Sequence, residues 1–129
     1  MELLDKMLRD ALSVDEAFIL KLFQNNVTPD ANFVVGSFTE ANFTNYAAKT
    51  LARATWNAAT TVGGKGQASY GTNPQSWTCG SSGNTIYGYW VEGASSAKVL
   101  WAERFAVSRT VANSDVLNLV PTFSLSSEN

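Results

Sequence analysis

Two β-prone runs decide the fold of this chain: TIYGYWV at residues 85–91 and VLWAERF at residues 99–105. Both runs are rich in β-branched and aromatic residues, which are favoured on the pleated surface of a sheet. The linker between them, Gly93-Ala94-Ser95-Ser96, consists of small residues that form turns easily. The pattern predicts a β-hairpin with two long arms.

The aromatic residues of this hairpin suggest a role beyond the core. Strict alternation along the first arm predicts the rings of Tyr87 and Tyr89 on one face, with Ile86 and Trp90 on the other. One face must belong to the core. The other is either a subunit interface, where Tyr and Trp are favoured, or a platform for stacking sugars, with Trp101 of the second arm as a further candidate.

On both sides of the hairpin in the sequence, short segments again show apolar residues at every second position. Further strands are predicted at Phe18–Phe23, Phe33–Val35, Thr50–Trp56, Gln67–Tyr70 and Gln75–Cys79, and a last one places Leu117, Leu119, Phe123 and Leu125 on one face. Gly63-Gly64 suits a tight hairpin turn, and Pro121 makes the last strand an edge or a bulged one. Seven or eight short antiparallel strands predict a mainly β protein, either a β-sandwich or a jelly-roll-like domain.

The first twelve residues have a helical period instead. On a helical wheel one half is apolar and the other is charged; the two halves are Leu3, Leu4, Met7, Leu8, Ala11 and Leu12 against Glu2, Asp5, Lys6, Arg9 and Asp10. We therefore expect an amphipathic helix in an N-terminal arm or cap, residues 1–15, ahead of a single β-rich domain, residues 16–129. A helix this short must pack on something, either its own domain or another subunit, and Leu4, Leu8 and Leu12 are the predicted contact residues.

Composition excludes several classes of protein. The chain has 129 residues, enough for one domain, with 16% charged residues and a net charge of −2. No cationic field is available for nucleic acid, and no apolar run is long enough to span a membrane. Charges near the N-terminus interrupt any signal-peptide core, which predicts synthesis in the cytoplasm. Cys79 is the only cysteine, so no intrachain disulfide is expected.

The sequence offers little for catalysis or metal binding. It contains no histidine, which removes the usual serine and cysteine hydrolase sites and most zinc sites. Gly63-Gly64-Lys65-Gly66 lacks the ending of a phosphate-binding loop. Glu92 and Glu103 on the hairpin arms are the remaining carboxylate pair, and we expect each to face solvent. Asp30 and Asn32 are too few for a calcium site. The chain is therefore predicted to be a non-enzyme without cofactor or metal.

Several runs, taken together and in order, resemble small structural proteins of tailed bacteriophages: NVTP at 26–29, FTEANFTNY at 38–46, TIYGY at 85–89, LWAERF at 100–105 and VPTFSL at 120–125. The resemblance covers most of the chain beyond about residue 18. It implies a virion component, made in the host cytoplasm, and specifically a capsid decoration (cement) protein. Such proteins bind the major capsid protein on the head surface, commonly as homotrimers.

Two other functions remain open from the sequence. One is a tail, neck or fibre component of a virion, which requires the same β-rich, oligomerising body. The other is a carbohydrate- or receptor-binding module that uses the aromatic residues of the hairpin. The resemblance carries no catalytic residues.

Overall fold

The computed structural model describes residues 17–30, 32–51, 60–62, 65–70 and 74–126. They form nine strands, β1 to β9 in chain order: Phe18–Phe23, Lys49–Leu51, Thr60–Val62, Lys65–Ser69, Gln75–Thr78, Asn84–Gly93, Val99–Val111, Val116–Leu119 and Thr122–Ser126. One 3-10 turn, Val35–Ser37, and no α-helix occur in this part of the chain. The protein is mainly β, as predicted, and the expected N-terminal helix lies outside the described residues.

A four-stranded antiparallel sheet with the order β2-β1-β6-β7 forms the centre of the molecule. Its inner strands are β1 and β6, with Leu20 opposite Val91 and Leu22 opposite Tyr89. The β6–β7 pair is the hairpin predicted from the two β-prone runs. Strand β1 was also predicted correctly, because its alternating apolar residues fit an inner strand.

Both faces of this sheet are covered. On one face Leu20, Leu22 and Val91 belong to the main hydrophobic cluster, which also contains Trp77 of β5 and Leu117 of β8. The two-stranded β5–β8 sheet therefore packs on this face. On the other face a smaller cluster is formed by Phe23, Phe38 and Trp90, and the rings of Phe38 and Trp90 stack with centroids 4.7 Å apart. The irregular segment before β2 supplies this second cover.

The third sheet has the order β3-β4-β9. Val62 of β3 pairs with Lys65 of β4, and the predicted turn at Gly63-Gly64 lies outside the described residues. The last predicted strand is in fact two strands in different sheets, because β8 pairs with β5 and β9 pairs with β4. They are separated at Pro121, a buried residue that has no N–H for a ladder and whose carbonyl oxygen accepts from the amide of Tyr70, 2.9 Å away.

The prediction of a strand at Phe33–Val35 is wrong. The chain makes a 3-10 turn here, and the Ser37 hydroxyl accepts from the Val34 amide at 3.1 Å. Phe33 packs against the Phe38 ring with centroids 5.3 Å apart. These apolar residues cover a sheet rather than extend one, and a short apolar run does not distinguish the two uses.

Candidate interaction surface

Strand β7 is the outer strand of the central sheet, and it does not run straight. Gly88 of β6 pairs with Arg104, but the next pair along the ladder is Ile86 with Arg109. The four residues 105–108 of β7 thus lie opposite Tyr87 alone. This excursion is a large β-bulge, a feature that re-aims side chains and interrupts the edge of a sheet.

The excursion is the most exposed apolar feature in the described part of the chain. Val107 at its tip has 76% of its surface exposed, and Ala106 and Ser108 on either side are exposed as well. The surrounding residues, Glu103 to Arg109, line a shallow concavity of about 450 Å³. A single exposed valine is unremarkable on a protein surface, but one raised on the edge of a sheet can enter a partner's pocket.

Two arginines hold the excursion at its ends. The guanidinium of Arg104 lies 5.4 Å from the ring centre of Tyr87, and its Nη1 donates to the carbonyl oxygen of Val27 at 2.9 Å. The guanidinium of Arg109 lies 5.2 Å from the ring centre of Phe105. Cation–π contacts of this kind keep each arginine beside its ring. The result is an apolar tip with exposed charges of both signs nearby, Glu103 and Arg109, suited to a partner surface that is apolar at its centre and polar at its rim.

The residues that the sequence singled out lie elsewhere. Tyr89 and Trp101 are buried in the main cluster, so neither ring is available to a sugar or a partner. Tyr87 is half-buried against the smaller cluster on the opposite face. The expectation that Tyr87 and Tyr89 share a face is therefore wrong, because the bulge shifts the alternation of β6 between Ile86 and Gly88. Leu4, Leu8 and Leu12 lie outside the described residues.

Tyr89 is part of the internal polar bonding of the core. Its hydroxyl lies 3.1 Å from Oε2 of Glu103 and 3.2 Å from the carbonyl oxygen of Thr122, and it can donate to either. The pKa of Tyr89 is raised to about 12; burial is the largest cause and the nearby Glu103 carboxylate contributes, while a hydrogen bond with Trp101 works in the opposite direction. The phenol is therefore neutral at ordinary pH and connects β6, β7 and the start of β9.

The carboxylate pair considered for catalysis is not a pair in space. Glu103 lies opposite Tyr89 in the β6–β7 ladder, on the same face of the sheet, and it is exposed. Glu92 is on the other face, only 8% exposed, and its Oε1 accepts from Nε1 of Trp90 at 2.8 Å. The expectation that Glu92 faces solvent is wrong. Two carboxyl groups on opposite faces of one sheet cannot act together on a glycosidic bond.

Glu92 belongs instead to a polar network over β1. Nζ of Lys21 lies 3.3 Å from Oε1 of Glu92 and 3.8 Å from Oε1 of Glu40. The hydroxyl of Tyr46 donates to Oε2 of Glu40 at 2.8 Å and accepts from the amide of Leu22 at 3.2 Å. Burial, more than the neighbouring carboxylates, raises the pKa of Tyr46 well above its usual value. These contacts fasten residues 40–46 to the edge of β1 that β2 leaves uncovered.

The Asp30–Asn32 turn shows no convergence of metal ligands. Oδ1 of Asp30 accepts from the amide of Asn32 at 2.8 Å, which is the usual local bond of an Asx turn. Among the residues that the structure describes, no three His, Cys, Asp or Glu side chains are grouped closely enough to hold a metal ion. No helix in the same ranges is long and apolar enough to span a membrane.

Comparisons with known proteins add no relative: no protein-family model, curated protein or solved structure matches this chain.

The sequence reading missed Phe105, Val107 and Arg109. The predicted strand ends at Phe105, and residues 105–111 do not alternate between apolar and polar side chains: three apolar residues are followed by three polar ones and a valine. A bulge depends on which residues of the neighbouring strand are paired, and one strand's sequence does not contain that information. The two runs predicted from the sequence have seven residues each and give no signal of the bulge, whereas in the structure β7 has 13 residues and β6 has 10.

Proposed function

We propose that this chain is a non-enzymatic structural protein of a tailed-phage virion, specifically a capsid decoration protein that binds the major capsid protein on the head surface. The observation that carries the proposal is the exposed Val107 excursion on the outer strand of the central sheet. It presents an apolar contact on a rigid support, away from the core. The resemblance of several sequence runs to phage structural proteins supplies the identity of the partner.

The architecture supports this proposal in a second way. The β5–β8 sheet shares one core with the four-stranded sheet, which favours a β-sandwich or jelly-roll-like body for the whole domain. Such a body withstands mechanical load without a disulfide, and Cys79 is a buried free thiol. We propose that three copies form the functional unit, as is common among decoration proteins.

A contact as small as this excursion binds firmly only when several copies engage the same partner lattice. One valine and two flanking arginines bury far less than the roughly 1,000 Å² that a stable interface needs. A trimer presents three excursions to one lattice, and simultaneous engagement multiplies weak contacts into firm attachment. The proposal therefore predicts weak binding of an isolated protomer and tight binding of the oligomer.

Two measurements test the proposal. The first is the native mass of the purified chain and its copy number in intact particles, for which we expect a trimer present at a level comparable with the major capsid protein. A trimer present in only a few copies per particle would identify a tail, neck or fibre component instead. A monomer that does not bind particles would refute the proposal.

The second measurement isolates the excursion. Val107→Asp places a charge at the apolar tip and should weaken binding to undecorated capsids by at least tenfold without lowering the melting temperature. Val116→Asp is the matched control, because Val116 on β8 is also exposed, at 54%, and lies in a different sheet. If the two variants bind capsids equally well, the excursion is not the contact surface.

A further inference from the structure

A second surface of the molecule is an apolar groove at the hairpin end of β7. Pro29 and Phe33 form one wall, and Val99 and Ala102 are on the other, in a concavity of about 290 Å³. Phe33, Val99 and Ala102 are only partly buried and pack against the smaller hydrophobic cluster. Asp30 is exposed at the rim. The floor of the groove is therefore apolar and continuous with the smaller hydrophobic cluster, and none of the described residues covers it.

The N-terminal end of β1 lies close to this groove. The carbonyl oxygen of Ala17 accepts from the amide of Ala94 at 2.9 Å, and the amide of Gly93 donates to the carbonyl oxygen of Lys98 at 3.1 Å. Two strand spacings, about 10 Å, thus separate Ala17 from the start of β7. Five residues span at most about 17 Å when extended, so Leu12 can reach the groove from Ala17 within one chain.

Residues 1–16, which precede Ala17, include apolar side chains that can cover the floor of the groove. Residues 3–12 place their leucines on one side when wound as a helix, about 15 Å long, with the charges on the other side. The groove between Val99 and Ala102 runs for about 10 Å along β7, which matches two turns of such a helix. Charge does not favour this contact: among the described lining residues the charged one is Asp30, which is acidic like most of the charged side chains of residues 1–16, so the apolar side of the segment supplies the attraction.

We propose that the leucine side of residues 3–12 packs in this groove of its own chain, with Leu12 near Val99 and Leu8 near Ala102. The segment then covers the hairpin end of β7 and shields the smaller cluster, which leaves only the Val107 excursion of that strand open to partners. The packing assigns the N-terminal segment a role within the protomer rather than as an arm to a neighbour. It does not depend on the virion function proposed above.

Cross-linking of the full-length chain tests the contact directly. The variant with Leu8→Cys and Ala102→Cys, and a second with Leu12→Cys and Ala102→Cys, are treated with a short bis-maleimide. Native Cys79 is buried and does not compete. We expect a link within one chain for at least one of these pairs. The matched control, Lys6→Cys with Ala102→Cys, carries its thiol on the charged side and should link at least fivefold less.

Other outcomes overturn the proposal. A link that joins two chains would show that the segment docks on a second copy, and equal linking by Lys6→Cys would show that no particular side faces the groove. Failure of both leucine pairs to link would exclude the contact. Hydrogen exchange gives an independent reading: Leu8→Ser should speed exchange at residues 29–33 and 99–102 at least threefold while that of β1 stays unchanged, and Lys6→Ser should leave both unchanged. Equal exchange in the two serine variants also refutes the packing.

Discussion

Gly88 is the position where the central sheet leaves no room for a side chain. It is paired on one side with Phe23 of β1 and on the other with Arg104 of β7. A Cβ added here would meet the carbonyl oxygen of Glu103 and lie 2.6 Å from Cζ and 2.8 Å from Cε1 of the Phe23 ring. The ring is fully buried and cannot swing away, and the oxygen belongs to the backbone of the next strand.

The expected cost of Gly88→Ala follows from these contacts. Overpacking a well-filled core costs about 1–3 kcal/mol, and because both neighbours are fixed we expect about 3 kcal/mol. Alanine restricts the unfolded chain more than glycine does, which offsets about 0.5–1 kcal/mol of that cost. The net loss in the free energy of unfolding is therefore about 2 kcal/mol, which for a chain of this length lowers the melting temperature by about 6 °C.

Urea unfolding followed by tryptophan fluorescence measures this loss. Gly36→Ala is the matched control, because a Cβ at Gly36 has nothing within 4 Å, and its unfolding midpoint should stay near that of the wild type. If Gly88→Ala unfolds at the same urea concentration as Gly36→Ala, the close approach of Phe23 and β7 is absent. The register of β1, β6 and β7 described above would then be incorrect.

Three further predictions concern buried polar groups. Lys21→Met should lower the free energy of unfolding in urea by about 1–2 kcal/mol, which is less than for a fully buried pair because 23% of the Lys21 side chain is exposed. Adding Glu92→Gln should restore at least half of that loss, because it removes the carboxylate left without its partner. No loss in the single variant would contradict the ion pair. Because the pKa of Tyr89 is raised from 10.0 to about 12, its phenol ionises first in the unfolded chain, so the free energy of unfolding should fall as pH rises from about 10 towards 12. Tyr89→Phe should make that fall shallower, and equal slopes in the two proteins would argue against the burial of this phenol. Cys79 should react with a thiol reagent no faster than the chain unfolds, and prompt labelling of the native protein would show that it is not buried.

The sequence predicts the central sheet well, because its signals are local. Alternation in Phe18–Phe23 and the first β-prone run gave strands within two residues of the observed bounds, whereas the second run gave the start of β7 but not its continuation from Phe105 to Val111. Small residues at 93–96 correctly indicated the turn between them. Where a pattern of period two is unbroken and flanked by turn residues, propensity and burial agree. The mainly β class followed from these signals alone.

The parts that sequence could not predict depend on pairing between distant segments. Nothing in the run from Leu117 to Leu125 shows that its two halves join different sheets, apart from Pro121 between them. The shift that separates Tyr87 from Tyr89 arises opposite residues 105–108, and the burial of Glu92 depends on Lys21 from another strand. The sequence gives the chemical type of each of these side chains, while their placement depends on the tertiary partner.

The long separation between β1 and its neighbour β6 has a consequence for how the chain folds as it is made. All of residues 24–83 must follow β1 before the first residue of β6 exists, although the two strands lie side by side in the sheet. At roughly 5–20 residues per second, the apolar side chains of β1 wait for several seconds on the ribosome without their partner. Pairings this distant in sequence also slow the search for the native topology. Overproduction of this protein should therefore be limited by aggregation of nascent chains, and weaker induction, which lowers the concentration of incomplete chains, should raise the soluble yield more than any change to the folded surface.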